Sequence, residues 1–162
     1  MDNKRPDLIK PYSLIQSFRC ALAGLLHALP RERNLRIDLA AAGLVFYFSR
    51  YYHFTATESV LLILLVGFVI VCELINTAIE RTVDLVTGAY HPMARIAKDV
   101  AAGAVLVSAV VSVFAGWVLF WDVAVLSQIR ADILGHLIVW IPVLIALLLW
   151  IFLPGRKTER KN

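Results

Sequence analysis

The sequence predicts an all-α integral membrane protein, with an N-terminal amphipathic helix at the interface and about four transmembrane helices. Three observations carry this reading. Hydrophobic residues make up 60% of the 162 and charged residues only 17%, against roughly 45–50% and 25% in soluble domains. Several apolar runs are long enough to cross a bilayer, which takes about 20 residues as a helix. The sixteen basic residues are unevenly placed: seven precede Ile37, three lie between Arg81 and Lys98, and four (Arg156, Lys157, Arg160, Lys161) close the chain, while Arg50 and Arg130 stand singly. That alternation is the positive-inside pattern for four spans with both termini in the cytoplasm.

From Leu14, the apolar residues Leu14, Phe18, Leu22, Leu25 and Leu29 recur every three or four positions and form one stripe of a helix that Pro30 ends. With Gln16, Arg19 and His27 off the stripe, such a helix suits the plane of the membrane interface. Packing against other protein would use the same stripe. A first span is expected from Ile37 to about Phe54, closing on aromatics of an interfacial belt: Phe46, Tyr47, Phe48, Tyr51 and Tyr52. The turn Thr55 to Glu58 faces outward. A second span starts near Ser59 and stays apolar to Cys72, after which polar residues enter the same helical pattern. Gly88 to Pro92 breaks the chain on the cytoplasmic side, and a third span runs from Met93 to about Trp121. Asp122 to Asp132 is read as the second outer connection. The fourth span, Ile133 to Leu153, contains Pro142, which membrane helices tolerate.

The net charge of +4 is explained by attraction to anionic lipid head groups, without nucleic acid. Cys20 and Cys72 have no metal-ligand spacing and no framework of pairs, so disulfides are not expected. The polar opening, Met1 to Tyr12, does not read as a cleavable signal.

Chemistry concentrates in ELINTAIERTVD, Glu73 to Asp84. Ionisable groups at the end of a membrane helix are costly unless paired, solvated or used. Taking Glu73 as zero, Asn76 falls at about −60°, Thr77 at about +40°, Glu80 at about −20° and Asp84 at about +20° around the helix. One face carries them all. Glu73 is the deepest carboxylate, and partial desolvation there suits a general base that takes a proton from a lipid hydroxyl. Glu80 and Asp84, nearer the aqueous edge, are hard oxygen ligands of the kind that hold Mg²⁺ against substrate phosphates. Asn76 would orient either neighbour. A polar stripe of this sort also joins helices by hydrogen bonds, but two Glu, an Asn and an Asp in line favour chemistry.

A second cluster, HPMARIAKD, supplies His91, Arg95, Lys98 and Asp99 on the same side, followed by the small residues Ala101 to Ala104. Lys98 and Arg95 suit phosphate oxygens of a nucleotide, though snorkelling cations with an Asp cap would look the same. Glu32, in RERNLRID, is a third acidic position able to complete a metal site. The sequence contains no G-x-x-x-x-G-K-S/T loop, no H-R-D or D-F-G and no G-x-G-x-x-G. Phosphoryl transfer here would therefore rely on metal, Lys and Arg in place of a glycine-rich loop.

The stretches ELINTAIERTVDLV and YHPMARIAKDVAAGAVL, with Gly24 and the ERNLRI element, resemble the signature of the prokaryotic diacylglycerol kinase family over roughly Ser17 to Phe120. The resemblance implies a small homotrimeric membrane kinase with three spans per chain and active sites shared between subunits. It implies Glu73 as catalytic base, Glu32 and Glu80 as ligands of the Mg²⁺ that accompanies ATP, Asn76, Lys98 and Asp99 as further active-site residues, and Asp84 and His91 near the nucleotide. On this reading residues 1–122 are the kinase core, and residues 123–162 are an added transmembrane helix and basic tail. The wording NTAIE, DLV and YHP is nearer the branch that resembles undecaprenol kinases, so undecaprenol is the expected acceptor, with diacylglycerol the alternative. That branch usually has a His where Asp38 stands. A non-catalytic membrane transporter or assembly subunit is the reading from another class.

Overall fold

The computed structural model describes residues 13–153, and among them every regular element is helical. The basic tail from Arg156 lies outside the described residues. The elements are α1 (Leu14–Ala28), α2 (Arg33–Phe48) followed by a single 3₁₀ turn (Ser49–Tyr51), α3 (Ala56–Val86), α4 (Pro92–Phe120), α5 (Val123–Gly135) and α6 (Leu137–Phe152).

Helix α1 begins where its capping chemistry allows. The Ser13 hydroxyl accepts from the Gln16 amide at 3.3 Å and the Gln16 side chain accepts from the Ser13 amide at 3.0 Å, a capping box. Its stripe of Leu14, Phe18, Leu22 and Leu25 is exposed, so no other part of the described chain covers it, as suits a helix that buries its apolar face in lipid.

The hairpin α3–α4 is the most closely packed pair of helices. A second capping box, Thr55 with Glu58, opens α3, and His91 opens α4 by accepting from the Met93 amide at 3.2 Å, with Pro92 in the first turn. Among the described residues these are the two helices long and apolar enough to cross a bilayer unaided. At 31 residues, α3 is longer than its span needs. The hydrocarbon layer takes about 20 residues of helix, so a span entering at Ala56 ends near Asn76 and leaves Glu80 and Asp84 beyond it. Packing tightens at Ser108, 1% exposed, whose hydroxyl donates back to the Val105 carbonyl at 2.7 Å.

The outer two helices differ from the sequence reading in detail. The helix read as the first span, Ile37 to about Phe54, runs instead from Arg33 to Phe48, and its 16 residues are shorter than the about 20 that a bilayer takes. The segment read as a connection, Asp122 to Asp132, is helical: Asp122 caps α5 by accepting from the Ala124 and Val125 amides at 2.9 and 3.2 Å, and the residues after it are mostly good helix formers. The chain then turns by 92° at the break between Gly135 and Leu137. Helix α6 runs antiparallel to α2: Trp140, early in α6, stacks on Phe48 and meets the edge of Tyr47 at the end of α2, whereas Arg36 at the start of α2 reaches the last carbonyls of α6.

Large apolar side chains are exposed on all six helices, a surface that only an apolar solvent accommodates. The protein is a membrane protein whose bilayer completes its packing.

Because Ser108 is enclosed, Ser108→Leu should overpack its helix and cost about 1–3 kcal/mol, read as a lower melting temperature of the detergent-solubilised protein. An unchanged melting temperature would show that this position is not packed as described.

Candidate active site

The polar face of α3 is buried where it approaches the start of α2. Glu73 is 2% and Asn76 5% exposed. One turn on, the Glu80 carboxylate accepts from the Asn76 amide nitrogen at 3.2 Å. The i, i+4 relation places these two on one side of the helix, as the sequence periodicity requires. Helix α2 brings three more polar groups. Asp38 and Glu32, together with Glu80, lie close enough to act electrostatically on Glu73, and the Asn34 side chain is beside it. Three buried oxygens in this region, Glu73 Oε2, Asn76 Oδ1 and Asp38 Oδ2, have no hydrogen-bond partner in the protein.

Carboxylates within electrostatic reach of the buried Glu73 repel it. The Arg81 guanidinium relieves part of this by donating to Glu32 at 2.6 Å. Glu32 itself has no side-chain role in capping α2, although it occupies the capping position. It is held by the cation on α3 instead.

Charged residues at the α3–α4 turn form a separate hollow of about 410 Å³, lined by Asp84, Gly88, His91, Arg95, Lys98 and Asp99 among others. Lys98 donates to the Asp84 carboxylate across the hairpin. Arg95 and Asp99 pair along α4 at 3.7 Å, both largely exposed. His91 points its Nδ1 at the Met93 amide and so is occupied as a cap.

The structure thus brings together Glu73, Asn76, Glu80 and Glu32, and separately Asp84, His91, Arg95, Lys98 and Asp99. Glu73, Asn76 and Glu80 are not walls of the second hollow. Sequence reasoning missed Asn34 entirely, and met Asp38 only as a departure from a pattern. The available signal was that Asn34 and Asp38 are one turn apart and share a face of α2.

An oxygen-donor set of this kind suits a hard divalent cation. Within one chain, however, no three His, Cys, Asp or Glu side chains of the described residues converge on a single point. Mg²⁺ asks for less than that, since it binds through one or two carboxylates together with substrate phosphates and water. Glu80 and Glu32 are carboxylates of the chemistry such a cation takes.

Known proteins share much of this sequence. Residues 19–120 match the family described as prokaryotic diacylglycerol kinase, a segment that covers α2 to α4 and most of α1 and stops where α5 and α6 begin. The chain is 42% identical over 105 residues to the undecaprenol kinase of Bacillus subtilis, covering 65% of this chain and 85% of that protein. It is also 42% identical over 105 residues to the diacylglycerol kinase of Synechocystis, covering 64% of this chain and 60% of that longer protein. The diacylglycerol kinase of Escherichia coli K12 is 34% identical over 99 residues, 61% of this chain and 81% of that protein. With family match, apolar helices and buried carboxylates in agreement, the chain belongs to the prokaryotic diacylglycerol kinase family and is a membrane-embedded lipid kinase, a phosphotransferase with an alcohol acceptor.

Proposed function

We propose that this kinase transfers the γ-phosphoryl group of ATP to the hydroxyl of undecaprenol, at the cytoplasmic face of the membrane. The observation that carries the assignment of the site is Glu73: a nearly sealed carboxylate with one unpartnered oxygen, near the end of a membrane-spanning helix. There it accepts the hydroxyl proton as the oxygen attacks phosphorus. Asn76, tied to Glu80, fixes the approach of that hydroxyl. Glu80 and Glu32 would hold Mg²⁺, which when bound neutralises the charge on the β- and γ-phosphates. For Glu32 this means exchanging its partner Arg81, whose guanidinium then faces phosphate.

Lys98 and Arg95 take the remaining phosphate oxygens, with Asp84 and Asp99 holding those cations in place and His91 fixing the turn beneath the nucleotide. One chain presents the carboxylates and the cations in separate places, which supports a homotrimer in which neighbouring subunits complete each site. The undecaprenol choice is supported by the 85% coverage of the Bacillus subtilis undecaprenol kinase and by the NTAIE, DLV and YHP wording. Diacylglycerol remains the second reading because the Synechocystis diacylglycerol kinase is equally identical. Both termini on the cytoplasmic side agree with the basic residues and with the meeting of the start of α2 and the end of α6.

Two outcomes check this. Glu73→Gln should cut kcat by roughly 10²–10⁴-fold, the usual share of a general base, with an unchanged elution profile in detergent; a fully active, folded Glu73→Gln protein would remove Glu73 from the mechanism. In micelles offering both lipids, labelled ATP should phosphorylate undecaprenol in preference to diacylglycerol, and chelation of Mg²⁺ should stop the reaction. Preference for diacylglycerol would reverse the choice of acceptor, and transfer that survives chelation would remove the metal.

A further inference from the structure

Helices α5 and α6 lie beyond the segment shared with the kinase family, yet α6 is attached at both ends to the helix that faces the catalytic carboxylates. At one end the Arg36 guanidinium, only 7% exposed, donates through a single nitrogen to the Trp150 carbonyl at 3.1 Å and the Leu153 carbonyl at 2.8 Å. The last carbonyls of a helix have no partners within it and carry the negative end of its dipole, so a buried cation from α2 satisfies both needs of α6. At the other end Trp140 stacks on Phe48 with centroids 5.8 Å apart and meets the Tyr47 ring edge-on at 5.0 Å. The Tyr51 hydroxyl donates to Asp132 of α5 at 2.6 Å.

Around α2, Asn34 and Asp38 lie about 160° from Arg36. The face that meets Glu73 and the face that meets α6 are therefore opposite sides of one helix. Pinned between α3 and α6, α2 has little freedom to roll, and a roll is the motion that would carry Asn34 and Asp38 away from Glu73.

We propose that α6 is a built-in brace of the active site, with Arg36 as the positioning residue through which it sets Glu32, Asn34 and Asp38 of the α2 segment against Glu73 of α3. The inference rests on the lipid kinase reading of that site. Arg36 touches no reacting group. Its effect reaches the reaction through the carboxylates of α2, foremost Glu32 as a ligand of the nucleotide's metal.

The test compares Arg36→Met, which keeps the length of the stem and removes the donors, with Arg36→Lys, which keeps a cation able to reach one carbonyl. In the full chain, Arg36→Met should raise the KM for Mg·ATP about tenfold, the loss of one charged hydrogen-bonding contact, while kcat falls much less. Arg36→Lys should recover most of that loss. Distances between nitroxide labels at Ile37 on α2 and Ile75 on α3, in protein with Cys20 and Cys72 replaced by Ser and diluted with unlabelled chain, should broaden in Arg36→Met and narrow again in Arg36→Lys. Activity lost in proportion to folded protein at unchanged KM, or distances insensitive to Arg36, would overturn the brace. A wild-type protein without kinase activity would defeat the reading of the site, and the label distances alone would then decide whether α6 holds α2.

Discussion

Burial of Glu73 beside other carboxylates is the constraint on which the rest of this molecule depends. A carboxylate at that depth is expensive, and placing Asp38, Glu32 and Glu80 nearby adds repulsion to desolvation. Such a cluster forms only if the surrounding helices are held by other contacts. Arg81 supplies one cation through Glu32. The rest of the demand is what the proposed metal, carried in by phosphates, would meet.

Helix length converts this constraint into a position. At 31 residues, α3 has more length than a span of about 20 needs, and the excess carries Glu80 and Asp84. Helix α4 returns at once through a turn capped by His91 and sets Lys98 against Asp84. In the proposed reaction, a lipid hydroxyl and a nucleotide meet at the level where these groups stand. The α2 helix closes the third side, and α6 lies on its back.

Much of the site was legible because its logic is local to one helix. Glu73, Asn76 and Glu80 share a face by periodicity alone, and the structure joins Asn76 to Glu80 by a hydrogen bond. The stripe of α1 and the Pro92 start of α4 were legible for the same reason. What stayed hidden depends on distant partners. Arg36 lies 114 and 117 residues from the carbonyls it caps, and no spacing rule connects them. Asn34 and Asp38 gain meaning only once α2 is docked on α3. The helical nature of Asp122 to Asp132 was obscured by its mixed polarity, which reads as a connection although Asp122 is placed as a cap.

The proposed site places the cation that accompanies the nucleotide on the carboxylates between α2 and α3. Electron paramagnetic resonance of Mn²⁺, added as a Mg²⁺ substitute with a non-hydrolysable ATP analogue, tests it without requiring turnover. The wild-type protein should immobilise Mn²⁺ only when the nucleotide is present, and Glu80→Gln should release most of it while the protein remains folded. Mn²⁺ held equally well by Glu80→Gln would contradict the account and place the cation elsewhere on the molecule.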